Sequence, residues 1–234
     1  MDKDILSRYN SPEGVTDYSR KFERHWTERV NNWHEQRLLR RLLRSVSLGK
    51  FDGLALDLPC GYGRLYSILH DLGASVVEGD WSFHLLGAAR IFHADHAGKR
   101  NLAPPAGYVR ATALCLPFRD RAFELVLSVR LCHHIREPQE RLHYLLEIMR
   151  VSRKWVVFTY FDTASIKNRT HEFRRRANGK RSKWTLHAQE VKEVSQSAGF
   201  EVIQSIWISR FFSGHRYVLL RRTDSAPARL PDRS

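Results

Sequence analysis

From Gly49 onward the chain alternates short apolar runs with amphipathic stretches, and this alternation restricts the fold more than any other feature. "GLALDL" (53–58), "ASVVEGD" (74–80), "GYVRA" (107–111), "AFELVLSV" (122–129) and "KWVVFTYF" (154–161) read as strands. Helices are expected over 63–72, 82–94, 137–151 and 187–198, and 97–107, with two prolines and two glycines, reads as a loop. Strands separated by helices imply a parallel sheet, because each crossover must return over one face. The last two runs, "FEVIQSIWIS" (200–209) and "HRYVLLRR" (215–222), are joined only by "RFFSG". That connector is too short for a parallel crossover, so the pair should be antiparallel.

The expected fold is therefore α/β: a Rossmann-like, seven-stranded, mostly parallel sheet with helices on both faces and a C-terminal antiparallel strand. Ahead of it, residues 1–15 read as a polar arm. Tyr18, Phe22, Trp26, Val30 and Trp33 recur at helical spacing as a core-facing series, which Leu38, Leu39, Leu42 and Leu43 continue. The expected organisation is an N-terminal arm and helix (1–48), the sheet domain (49–222) with a basic insertion or lid at 162–186, and a disordered tail (223–234).

With 234 residues, 42% of them hydrophobic, the chain can bury one sizeable core. It has no apolar run of the roughly 18 residues that span a membrane. No apolar segment follows Met1-Asp2-Lys3-Asp4, so a soluble, cytoplasmic protein is expected. Cys60, Cys115 and Cys132 are odd in number and far apart, which argues against a disulfide framework or a metal site. The formal charge is +14, and residues 167–183 alone hold eight Lys or Arg against Glu172. Clustered cations raise the local concentration of anionic partners, although a solvated surface has the same composition.

The chemistry is carried by "LDLPCGYGR" (56–64). A strand ends at Asp57, passes a glycine-rich turn and becomes helical, so backbone amides can approach a ligand closely. Asp80 closes the next strand 17 residues after Gly63, where an acid can accept the ribose hydroxyls of an adenosine. The dinucleotide pattern GxGxxG fails at Tyr66, and Asp57 would repel a pyrophosphate, which disfavours a nicotinamide dehydrogenase. A cationic amino-acid nucleoside, S-adenosylmethionine, suits an acid before the turn and an acid after it.

At these residues the sequence resembles the class I S-adenosylmethionine-dependent methyltransferases. "LDLPCGYGR" is similar to their first motif and "VVEGDWS" to their second. "ATALCLPFRDRAFELVLSVRLCHHI" is similar to their Asp-Ala-x-x-Leu-Pro-Phe segment with its Phe-Asp-x-Val run and His-His-Ile-type end, and "LLEIMRV" to the next helix. The ubiquinone/menaquinone-biosynthesis type is the nearest subgroup, over roughly residues 50–160. The resemblance implies that Asp57 faces the methionine part of the cofactor. The turn Pro59-Cys60-Gly61-Tyr62-Gly63 would give backbone approach, with Gly61 and Gly63 foremost. It further implies Asp80 on the ribose, Trp81 against the adenine, and Thr112 and Leu116 on the adenine side. Two departures are Pro59 for the first glycine and Thr112 for an aspartate.

Arg130, His133 and His134 would lie near the transferring methyl, with His133, His134 and Tyr160 as catalytic candidates. Arg174, Arg175 and Arg176 are candidates for holding an anionic acceptor. A small or lipid-like anionic acceptor is the first expectation. An RNA-directed methyltransferase and a methyltransferase-like binding protein without catalysis are the alternatives.

Overall fold

Strands covered on both faces need apolar residues at successive positions. β1 (Leu54–Asp57) and β4 (Phe123–Ser128) accordingly bury three of four and five of six residues. The computed structural model describes residues 11, 13–15, 26–46, 51, 53–100, 102–165, 184–208 and 213–223. In chain order the remaining elements are α1 (Trp26–Leu43), α2 (Tyr66–His70), β2 (Ser75–Asp80), α3 (Phe83–Arg100), β3 (Gly107–Arg110), α4 (Pro138–Val151), β5 (Ser152–Asp162), β6 (Thr185–Leu186), α5 (Ala188–Ser197), β7 (Phe200–Trp207) and β8 (His215–Arg222).

The sheet runs β3-β2-β1-β4-β5-β8-β7. β1 to β5 pair in parallel, and β8 is antiparallel to both β5 and β7. From β1 the chain winds out to β3 and then returns to β4 on the other side. The order thus reverses between β1 and β4, and a crevice opens at their carboxyl ends. Period-two alternation divides the core. Val156, Phe158 and Tyr160 of β5 pack with α4 and α5, whereas Trp155 and Val157 share the other face with α1 and α2.

Three expectations needed revision. The sheet has an eighth strand, because Thr185–Leu186 pairs with Phe161–Asp162 beyond the point where β4 ends; two residues are too few for a readable pattern. α3 runs on to Arg100 through Gly98, so the loop begins later than expected. One glycine costs a helix about 1 kcal/mol, which a long, capped helix absorbs.

The aromatic series of α1 does not face the core. Trp26, Val30 and Trp33 are 74%, 42% and 55% exposed, while Leu39, Leu42 and Leu43 are fully buried. At about 100° per residue, the aromatic residues lie on the side of the helix opposite Glu35, Leu39 and Leu42. The leucines are therefore a separate stripe and the sole apolar anchor of this helix among its described neighbours. Tyr18 and Phe22 lie outside the described residues, as do most of the arm, residues 167–183 with Arg174, Arg175 and Arg176, and the tail beyond Thr223. Among the described residues no helix is long and apolar enough to cross a membrane.

Leu42→Ala should lower unfolding free energy by about 2–5 kcal/mol in a urea titration, while Trp33→Ala should change it by about 0.5 kcal/mol or less. The opposite ranking would return the aromatic residues to the core.

Candidate functional site

The turn after β1 adopts backbone conformations that only glycine takes easily. Gly61 has φ 59° and Gly63 has φ 82°. A Cβ on Gly63 would also stand 2.5 Å from Nε2 of His93, so space and conformation both require glycine there. The Leu58–Pro59 peptide is cis. Cys60 N–H donates to the Gly79 carbonyl at 2.8 Å, laying the turn along β2.

Asp80 fixes the other side of the turn. Its Oδ2 accepts the Gly61 N–H at 3.0 Å and its Oδ1 the Ser82 N–H at 2.8 Å. Ser82 caps α3, its hydroxyl accepting the Leu85 N–H at 3.2 Å. Asp80 is therefore not needed as the helix cap, and its remaining lone pairs are available to hydroxyl donors.

Three carboxyl groups meet here. The register places Asp57 beside Glu78, and Glu78 shares a face of β2 with Asp80. Asp57 is wholly buried, and neither of its oxygens has a hydrogen-bond partner among the described residues. Burial, and then repulsion from Glu78, push its carboxyl well above the usual range. Burial raises Glu78 to about 8 and Asp80 to about 6; for Asp80 the N–H groups of Ser82, Gly61 and Trp81 oppose the rise. His93 Nε2 lies 3.5 Å from Glu78 Oε2, yet burial lowers this imidazole to about 4. At neutral pH the contact joins two neutral groups. A positive charge placed beside these carboxyl groups favours their ionised form.

A second buried group, which begins at Arg64 just after the turn, gathers cations. Glu35 of α1 is wholly buried; its Oε1 accepts a hydrogen bond from Arg130 Nε at 2.9 Å, and its Oε2 lies 2.7 Å from Arg64 Nη2 as an ion pair without hydrogen-bond geometry. The Tyr217 hydroxyl donates to the same Oε1, and Arg64 Nη1 donates to Asn32 Oδ1 at 2.8 Å. Burial alone would raise the Glu35 carboxyl, but Arg64 and Arg130 outweigh it and hold it at about 2. Arg130 itself has φ 64°, with its N–H donating to the Thr159 hydroxyl at 2.7 Å.

After β4, a single turn (Cys132–His134) sets His133 against Phe161, with ring centroids 4.2 Å apart. His134 packs on His133 at 4.0 Å and His215 meets it edge-on at 5.0 Å. Tyr160 is not part of this group. It points to the opposite face of β5 from Phe161, is buried in the core, and its hydroxyl donates to Asp162 Oδ2 at 3.4 Å. Asp162 in turn pairs with Arg216 at 2.5 Å.

Trp81 is half-buried, with the Arg110 guanidinium 5.7 Å from its ring centre. The Thr112 hydroxyl accepts the Leu114 N–H at 3.3 Å, closing a small turn after β3. The Leu116 side chain is in the core, and its N–H donates to Glu147 Oε1 at 2.8 Å. Among the described residues no group of His, Cys, Asp and Glu is arranged to hold a metal ion.

Sequence reasoning missed Glu35, Arg64, Glu78, His93 and His215. Glu78 was readable as the acid two residues before Asp80, on the same face of a strand. Glu35 had no such signal, because it meets Tyr217 across a separation of 182 residues.

Residues 56–158 match a family described as a methyltransferase domain. A protein named as a methyltransferase in Encephalitozoon cuniculi (strain GB-M1) is 27% identical over 170 residues, 65% of this chain and 72% of that protein. The magnesium protoporphyrin IX methyltransferase of Synechocystis PCC 6803, solved with bound SAH, superposes with TM-score 0.77 at 14% identity, covering 95% of this chain and all of that one. The Burkholderia thailandensis 1,6-didemethyltoxoflavin-N1-methyltransferase, solved with that substrate and S-adenosylhomocysteine, gives 0.62 at 18% identity, covering 96% and 91%. At these identities the structural likeness speaks for the fold.

The state of Glu78 can be read from stability. Between its ordinary value of 4.5 and about 8, the unfolded chain ionises this carboxyl while the folded protein keeps its proton. The folded state then binds more protons, so this residue makes stability fall as pH rises through that window. Glu78→Gln should raise the thermal midpoint at pH 8 and leave it nearly unchanged at pH 4.5. An equal shift at both pH values would mean that the buried carboxyl is ionised throughout.

Proposed function

We propose that this chain, a class I S-adenosylmethionine-dependent methyltransferase by its domain match and fold, methylates a small anionic molecule with a flat, conjugated face. The observation that carries the cofactor assignment is Asp57, a wholly buried carboxyl with no partner among the described residues, at the mouth of a glycine turn. An ammonium group supplies what that carboxyl lacks, and S-adenosylmethionine carries one beside its sulfonium and adenosine. Gly61 and Gly63 leave room for backbone approach, Asp80 is disposed towards ribose hydroxyls, and Trp81 offers a ring face for the adenine. Thr112 would take the place of the usual aspartate near the adenine, with Leu116 packed behind it.

When bound, the cofactor supplies a methyl group already activated by a positive sulfur. The protein's share is alignment, exclusion of water and removal of a proton from the acceptor. His133 is the candidate base. It stands beyond the carboxyl end of β4, where parallel α/β sheets place their reacting groups. Its stack on Phe161, with His134 and His215 around it, favours a planar acceptor over a chain-like one. The two structural neighbours described above are named for planar heterocycles, which supports the same reading. Arg130, three residues before His133 in the chain, is held in position by Glu35. Tyr160, tied to Asp162 on the other face of β5, is better read as a strut for the end of that strand.

Labelled-methyl transfer into extract fractionated into small molecules, lipids, RNA and protein tests the acceptor class; label in the small-molecule fraction is expected, and label in RNA would contradict the proposal. Asp80→Ala should abolish S-adenosylmethionine binding in calorimetry. His133→Ala should keep that binding and lower turnover by about 10²–10⁴-fold. Equal loss of binding in both variants would remove His133 from the acceptor side.

A further inference from the structure

Arg64 presents a puzzle of partner choice. It follows Gly63 directly, and its charge acts on Asp57, partly offsetting the effect of burial there. Its side chain is nearly as enclosed as the carboxylate, at 7% exposed. A buried guanidinium and a buried carboxyl without a hydrogen-bond partner among the described residues, seven residues apart across one glycine turn, should pair, since each lowers the other's burial penalty. They do not. Arg64 instead reaches to α1, pairing with Glu35 Oε2 at 2.7 Å and Asn32 Oδ1 at 2.8 Å. Glu35 is well fitted to win that competition, because Arg130 and Tyr217 anchor its other oxygen.

We propose that Glu35 is a positioning residue that draws Arg64 away from Asp57, so that the buried carboxyl stays open for the ammonium group of the cofactor. α1 thereby acts on the cofactor seat through one side chain. Among the described residues the helix meets the domain through the leucines at Leu39, Leu42 and Leu43, the polar clamp at Asn32 and Glu35, and an exposed Arg40–Asp71 contact at 3.5 Å. The leucines hold the helix on; the clamp sets the charge state of the seat. Loss of the clamp leaves Arg64 next to an unpaired carboxylate, and the protein then supplies its own cation where the ligand's should sit. The inference rests on the assignment of Asp57 to the ammonium group.

Calorimetric titration of the full chain with S-adenosylhomocysteine, which carries the same ammonium without the reactive methyl, tests this. Glu35→Gln keeps the size and one acceptor while removing the charge, and should raise Kd by about tenfold or more, within the range of coupled charge pairs. Arg64→Gln in that background removes the competing cation and should recover at least half of the lost affinity on a logarithmic scale. A merely structural role for Glu35 predicts the reverse, because a second clamp residue lost would weaken binding further. Leu42→Ala, which loosens the helix without altering the clamp, should lower the melting temperature with Kd within about twofold of wild type.

Should Glu35→Gln fail to fold, Asn32→Ala removes only the second partner of Arg64 and should still raise Kd by about threefold. Wild-type Kd in both Glu35→Gln and Asn32→Ala, or no recovery in the double variant, overturns the proposal. Asp57→Asn separates the two layers. If it leaves Kd unchanged, the ammonium assignment itself fails; if it weakens binding while the Glu35 tests are negative, only the inference about Glu35 fails.

Discussion

Carboxyl groups removed from water resist ionising, and three of them crowd around one glycine turn in this protein. Asp57, Glu78 and Asp80 are buried within a few residues of the β1–β2 pairing, and burial is the leading cause of the rise in each. A fold does not keep such an arrangement for stability, since apolar residues in their place would pack without a desolvation penalty. On the proposed function, the cluster is an electrostatic seat for a cation. The neighbouring features serve it: glycines that bring backbone close, a proline-led turn pinned to β2, and an acid whose carboxylate braces the turn while keeping lone pairs for hydroxyl groups.

Beside the carboxyl groups, beginning at Arg64, lies a complementary arrangement. Arg64, the residue after Gly63 of the turn, and Arg130 converge on one glutamate, so two guanidinium groups share a single carboxylate. Glu35 pairs with both guanidinium groups. An arrangement of this kind needs rigid supports, and these come from elements distant in sequence: α1 for Glu35, β8 for Tyr217 and β5 for Thr159, which holds the Arg130 backbone.

Much of the frame was legible in the residues. The strands and their parallel or antiparallel senses followed from apolar runs and connector lengths, because both features act locally. The glycine turn, Asp57 and Asp80 followed from spacing, and Gly63 proves to be required by its conformation and by His93 beneath it. α1 was misread for a physical reason. Its tryptophans and leucines share a helical period but lie half a turn apart, and hydropathy alone cannot say which stripe meets the sheet. A polar residue between them, Glu35, was in fact the inward-facing one, and a buried glutamate is invisible to any reading that places charge outside. Tyr160 was placed by its position at the end of β5, yet strand alternation sends it to the core and Phe161 to the His133 side.

On the proposed function, a cationic cofactor seated beside the buried carboxyl groups would favour their ionised form and release protons from them. Calorimetry of S-adenosylmethionine binding in buffers of different ionisation enthalpy, at about pH 6.5 where the ligand's amino group is already charged, measures that exchange directly. Net proton release on binding is the expected result, reduced in Asp57→Asn. Binding without proton exchange, or with proton uptake, would contradict it.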